Sequence, residues 1–135
     1  RASRATVTVL TTILPDPTGY GRIVKGPGGN IIKIVEEQDA TEDVKKVKEI
    51  NTGIYCTESS FLFEALMKIN NNNAQKEYYL TDIVAVACQN KLRVSTLIAG
   101  DAREVMGINT YDELQMAQLL MERMKHDRES LDATR

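Results

Sequence analysis

Thr6 to Leu14 is a nine-residue run of β-branched and apolar residues, Thr-Val-Thr-Val-Leu-Thr-Thr-Ile-Leu, closed by Pro15 and Pro17. It reads as a buried strand halted by residues that cannot continue a ladder of backbone hydrogen bonds. A strand buried on both faces needs neighbours on both sides, so the chain must contribute to a sheet covered by helices. At 135 residues, 42% hydrophobic and 27% charged, it has the size and composition of one ordinary globular domain rather than of a disordered segment.

The rest of the pattern fits α/β architecture. The loop 15–20 leads to Gly21 and a short strand, Arg22 to Lys25. Gly26-Pro27-Gly28-Gly29-Asn30 is a turn, and Ile31 to Glu36 returns as the second arm of a β-hairpin. Asp39 to Glu49 is a charged surface connection with room for one helical turn, and Ile50 to Cys56 is a further strand. Thr57 to Ser60 offer capping side chains for a helix whose Leu62, Ala65, Leu66 and Ile69 share one face. Thr81 is placed to cap a second helix, Asp82 to Gln89, with Ile83, Val84, Ala87 and Cys88 on its apolar side, before a strand over Leu92 to Ala99. Thr110 and Glu113 form a capping box ahead of a long amphipathic helix carrying Leu114, Ala117, Met121 and Met124, with a frayed tail from Glu129. The methionines read as core or interface filler.

Several function classes are disfavoured. The formal net charge of −2, with acids and bases interspersed, provides no basic face for nucleic acid. The longest apolar runs, such as Ile83 to Cys88, fall far short of the roughly 20 residues of a membrane span, and Arg1-Ala2-Ser3-Arg4 does not lead into a signal core. These features predict a cytoplasmic protein. Cys56 and Cys88 lack metal or redox spacing and read as buried small hydrophobes. His126, in Lys125-His126-Asp127-Arg128, reads as a solvated surface residue.

Four blocks carry a resemblance: Asp16-Pro17-Thr18-Gly19-Tyr20-Gly21-Arg22-Ile23, Ile34-Val35-Glu36, Glu49-Ile50-Asn51-Thr52-Gly53 and Asn71-Asn72-Asn73-Ala74-Gln75. In this order they resemble the sugar-binding half of the uridylyltransferase domain of bacterial N-acetylglucosamine-1-phosphate uridyltransferases, usually the first domain of a bifunctional acetyltransferase and uridyltransferase. The similarity runs over roughly residues 5 to 125. It implies the second half of a Rossmann-like nucleotide-sugar transferase domain over residues 1–127, a mixed sheet with flanking helices and a β-hairpin, with 128–135 as a tail or the start of a linker. It also implies the reaction of UTP with N-acetylglucosamine 1-phosphate, giving UDP-N-acetylglucosamine and pyrophosphate with Mg2+, on the way to peptidoglycan and other envelope polymers.

Carried over position by position, the resemblance assigns the sugar phosphate to Gly21, Glu36, Asn51, Tyr79 and Thr81, and both substrate and metal contacts to Asn109; no residue of this chain is assigned as a catalyst. The chemistry is compatible. A glycine at a strand entrance lets the backbone approach a ligand closely. A carboxylate at a strand end accepts hydrogen bonds from vicinal hydroxyls, and an asparagine adds a donor and an acceptor. Each has an ordinary alternative: loop glycine for Gly21, solvated loop residues for Glu36 and Asn51, core tyrosine for Tyr79, helix caps for Thr81 and Asn109.

The sequence departs from the family pattern at two places. Lys76 stands where the family usually has glycine, and Met106 loosens the match of Glu104-Val105-Met106-Gly107-Ile108-Asn109 to the family's Glu-Gly-Val-Asn block, whose asparagine binds magnesium beside an aspartate. No Gly-x-Gly-Thr-Arg-Met phosphate loop, aspartate partner for Asn109 or hexapeptide repeat lies in these 135 residues. The expected partners are therefore the N-terminal half of the same domain, UTP and the sugar phosphate, with this chain inactive alone and an exposed sheet edge available for pairing with a second copy. The competing readings are another sugar-1-phosphate nucleotidyltransferase and a non-catalytic sugar-phosphate-binding or regulatory module.

Overall fold

A computed structural model describes residues 5–108 and 110–132, with side chains through Lys125. Two compact units divide the chain, one running to Gly100 and the other beginning at Asp101.

The first unit is a five-stranded mixed sheet with helices. The strands are β1 (Val7–Ile13), β2 (Arg22–Lys25), β3 (Ile31–Val35), β4 (Glu49–Thr57) and β5 (Val94–Ile98), and the helices are the one-turn α1 (Glu42–Lys45), α2 (Ser59–Leu66) and α3 (Asp82–Gln89). The strand order is β3-β2-β4-β1-β5. β1 has neighbours on both sides, antiparallel to β4 and parallel to β5, as its apolar run predicts. β2 and β3 form the expected antiparallel hairpin, closed by the bond from the Gly26 amide to the Asn30 carbonyl and by Gly29 in the left-handed region at φ +74°.

The core gathers Val7 and Val9 of β1, Ile23 of β2, Ile31 and Ile34 of β3, Phe61 and Ala65 of α2, and Ile83, Val84 and Ala87 of α3. The α3 face is the one its spacing predicts. In α2 the register differs slightly: Phe61 is buried with Ala65, whereas Leu66 is 38% exposed. Thr57 does not cap α2. Its hydroxyl donates to the Thr6 carbonyl at 2.9 Å, which ties the end of β4 to the start of β1, and the N-cap is Glu58 without a side-chain bond.

Cys56 is exposed, contrary to expectation. In β4 it pairs with Thr8 of β1, so its side chain points to the sheet face opposite Val7 and Val9. Cys88 does lie against the core and is partly buried.

The second unit holds a 3-10 turn, Ala102–Val105, and α4 (Tyr111–Asp132). The capping box is realised in both directions, with the Thr110 amide bonded to Glu113 Oε2 at 2.8 Å and the Glu113 amide to Thr110 Oγ1 at 3.2 Å. The backbone stays helical through Asp132, beyond the expected fraying point at Glu129. Among the described residues no helix is long and apolar enough to cross a membrane. The His126 side chain lies outside those described.

Candidate sugar-phosphate site

Apart from Asn109, the predicted residues come from four separate segments, and the sheet brings them to one end, beside the C-terminal half of β1. Asn51 stands opposite Thr11 in the β1–β4 register, and its amide donates to the Gly21 carbonyl at 2.8 Å. That bond places Gly21, at the exit of the proline loop, against the start of β4. Open α/β sheets commonly bind ligands outside the carboxyl ends of their parallel strands, which is where this cluster lies.

Glu36 ends β3 and is the centre of the group. Its Oε1 accepts a hydrogen bond from the Thr81 hydroxyl at 2.9 Å. A methyl group added at Gly21 would sit 3.1 Å from Ile34 Cγ2 and 3.2 and 3.3 Å from the two Glu36 carboxylate oxygens. A side chain at position 21 would therefore crowd Ile34 and the Glu36 carboxylate, which would have to shift by a few tenths of an ångström to admit it.

Thr81 does not cap α3 through its side chain. Its own backbone is already helical, at φ −57° and ψ −24°, and the hydroxyl is committed to Glu36. The turn into α3 is closed instead by the backbone, from the Asp82 amide to the Tyr79 carbonyl at 3.1 Å.

Asn51 is shaped by a β-bulge. The register slips between Val9 and Thr11, Gly53 takes φ +80°, and the Asn51 Oδ1 accepts from the Gly53 amide at 3.1 Å. The acceptor of Asn51 is thus engaged locally. The bulge also brings Tyr55 to the cluster, a residue the sequence did not single out: its hydroxyl is buried without a hydrogen-bond partner among the described residues, and burial, reinforced by the Glu36 charge, pushes its pKa far up. Tyr55 is neutral at physiological pH. An ordinary strand tyrosine carries no local signal of this placement; Asn-x-Gly in a strand was the one hint.

Next to this cluster lies an open cavity of about 260 Å3, whose lining includes Glu36, Asp39 and Tyr79 together with Asn70, Asn72 and Asn73. Complete small-molecule pockets usually hold roughly 300–1,000 Å3, so this cavity has the dimensions of part of a site. The Tyr79 hydroxyl donates to Gln75 Oε1 at 2.8 Å, and burial together with the Asp39 and Glu36 charges raises its pKa. Asp82, also on the lining, has its pKa raised by burial and then by Asp39. With three carboxylates and Lys33 as its only cation, the lining favours neutral, hydroxyl-rich groups over a phosphate. A larger groove of about 600 Å3 between the first part of β3 and β5 contains none of the predicted residues.

The asparagine-rich loop beside this cavity is held by Asp39 from outside it and by its own Asn73. Asp39 Oδ1 accepts from the Ala74 amide at 2.9 Å, and Asn73 bonds both the amide and the carbonyl of Glu77. Inside that loop Lys76 adopts φ +58°, a left-handed conformation that glycine takes without cost.

Asn51, Gly21, Glu36 and Thr81 are thus linked in series, Asn51 to Gly21 by a backbone bond, Gly21 packed against Glu36, and Glu36 bonded to Thr81, and Tyr79 shares the adjoining cavity with Glu36. Asn109 lies outside the described residues. Among the described residues no group of three or more His, Cys, Asp or Glu side chains is arranged to hold a metal ion, so a complete metal donor set is not part of this geometry.

The fold is one shared by nucleotidyl transferases. The nucleotidyl transferase family model matches residues 1–118, and the chain belongs to that family. Its similarity is strong to bacterial proteins named Bifunctional protein GlmU: 47% identity to that of Desulfotalea psychrophila over 129 residues, 96% of this chain and 38% of that protein, and 51% to that of Geobacter metallireducens over 117 residues, 87% and 24%. The chain thus spans about a quarter to two-fifths of the length of these relatives. A Bacillus anthracis crystal structure with sucrose, provisionally named a glucose-1-phosphate thymidylyltransferase, superposes with a TM-score of 0.62 over 87% of this chain and 44% of that one. At 23% identity it supports the fold alone.

Proposed function

We propose that this chain is the sugar-phosphate-binding part of an N-acetylglucosamine-1-phosphate uridyltransferase. In the reaction an oxygen of the sugar 1-phosphate attacks the α-phosphorus of UTP in line, a new P–O bond forms, and the bond to the β-phosphate breaks to release pyrophosphate. Such transfers depend mainly on positioning and charge neutralisation. Gly21, Glu36, Asn51, Tyr79 and Thr81 hold and orient the sugar. The observation that carries this reading is the packing of the Glu36 carboxylate between the Thr81 hydroxyl and the side-chain-free backbone of Gly21. A carboxylate fixed in this way accepts hydrogen bonds from adjacent sugar hydroxyls and discriminates against sugars lacking them, because its own polar atoms would then be left unpaired.

The divalent metal of the reaction, Mg2+ in this proposal, would be held in part by Asn109 and would supply neutralisation of the phosphates; its other ligands, the UTP site and any acetyltransferase activity would come from residues outside this chain. Residues 1–127 form the sugar-binding half of the domain and 128–135 lead out of it. The protein works in the cytoplasm, and its product serves envelope polymers. Among the described residues β3 and β5 are each paired on one side only, and these edges offer a surface for two-fold pairing with a second copy.

The test is calorimetric titration of N-acetylglucosamine 1-phosphate into the complete gene product. Saturable binding is expected, weakened in Glu36→Ala by about 2 kcal/mol, some thirtyfold in Kd, through loss of charge-assisted hydrogen bonds. A folded protein that neither binds this sugar phosphate nor releases pyrophosphate from UTP in its presence would contradict the assignment.

A further inference from the structure

We propose that Arg22 and Glu37 are a positioning pair that clamps the loop before Gly21 onto the strand end carrying Glu36, and that affinity for the sugar phosphate depends on this clamp; the second part rests on the function proposed above. Arg22 is 1% exposed although charged. Its Nη2 donates to Glu37 Oε2 at 2.6 Å and its Nη1 to the Tyr20 carbonyl. The same Glu37 oxygen accepts from the Gly19 amide at 3.2 Å. One carboxylate oxygen therefore joins a buried strand arginine to a loop glycine that sits at φ +85°.

The placement matters because each member is next to a site residue. Gly19 and Tyr20 immediately precede Gly21, Arg22 follows it, and Glu37 follows Glu36. Gly21 and Glu36 approach so closely that a single added carbon would crowd them. A relaxation of a few tenths of an ångström in the loop therefore changes the geometry of the site. Arg22 Nε is buried without a hydrogen-bond partner among the described residues, so the guanidinium depends on Glu37 for compensation of its charge. The first part of the loop is tied independently: Asp16 Oδ1 accepts from both the amide and the hydroxyl of Thr18, at 3.1 and 2.7 Å.

That separate tie gives the experiment an internal control. In the complete gene product, Glu37→Gln is compared with the unsubstituted protein by amide hydrogen exchange, by sugar-phosphate titration and by the KM for UTP. We expect exchange at Gly19 and Tyr20 to quicken about tenfold with Thr18 unchanged, the opening of a local unit rather than of the whole fold. The Kd for the sugar phosphate should rise about tenfold, with the KM for UTP within about twofold. Arg22→Lys, which keeps the charge and cannot donate to both partners in the same fork, should give a smaller change in the same direction, and it serves if the glutamine variant does not fold. Unchanged exchange at Gly19 and Tyr20 in the folded variant overturns the clamp, and faster exchange with unaltered sugar affinity overturns its role in binding. Failure of the unsubstituted protein to bind the sugar phosphate overturns the functional reading instead, and is recognised separately because the exchange comparison needs no ligand.

Discussion

Lys76 holds a left-handed backbone at φ +58° in the loop that borders the candidate site. For a residue with a Cβ this conformation costs about 1–2 kcal/mol, partly offset by the greater unfolded-state freedom of the glycine that would relieve it. Lys76→Gly should therefore raise the free energy of unfolding by about 0.5–1 kcal/mol, read as a shift in denaturant midpoint. An unchanged or lower midpoint would show that the lysine side chain repays the strain. The same scale shows where the sequence was legible. Gly21, Glu36, Asn51 and Thr81 stood out because each lies in a distinctive block. Tyr55 and the Arg22–Glu37 pair did not, because their roles depend on a bulge and on an approach across 15 residues that no local pattern announces.

Among the elements, α3 links stability to the site. Its Ile83 and Val84 are buried in the core, while its first turn carries Asp82 on the cavity lining and follows Thr81, bonded to Glu36. Ile83→Ala should cost about 3 kcal/mol through lost burial and the cavity left behind. Chemical denaturation measures this cost, and one below about 1 kcal/mol would mean that the core closes around the gap. The helical spacing of α3, the hairpin turn and the capping box of α4 were all readable from short-range signals. The caps of α2 and α3 were not: Thr57 and Thr81 are favourable capping types, but the Thr6 carbonyl and the Glu36 carboxylate compete for their hydroxyls and take them.

For the molecule as a whole, the Arg22–Glu37 pair makes stability depend on acid. Burial alone would raise the Glu37 pKa, yet the hydrogen bond from Arg22, the Gly19 amide and the Arg22 charge outweigh it and hold the carboxyl below its ordinary range. A carboxyl with a depressed folded-state pKa contributes stability above its unfolded value and loses that contribution as pH falls through the folded one. The unfolding free energy should therefore fall below about pH 4.5, and the fall should be shallower in Glu37→Gln, which has no proton to gain there. Parallel acid profiles for the two proteins would show that other carboxylates dominate. By itself the sequence determined the α/β class, the strand at Val7–Ile13 with neighbours on both sides, the hairpin, and the residue types of the candidate site, because periodicity, turn chemistry and contiguous motifs act over a few residues. Only the tertiary structure decided the β3-β2-β4-β1-β5 order, the exposure of Cys56, the diversion of Thr81 from cap to Glu36 partner and the close approach of Glu36 to Gly21. Those depend on register and on segments distant in the chain competing for the same hydrogen bonds and the same space, which is settled when the sheet and its helices close together.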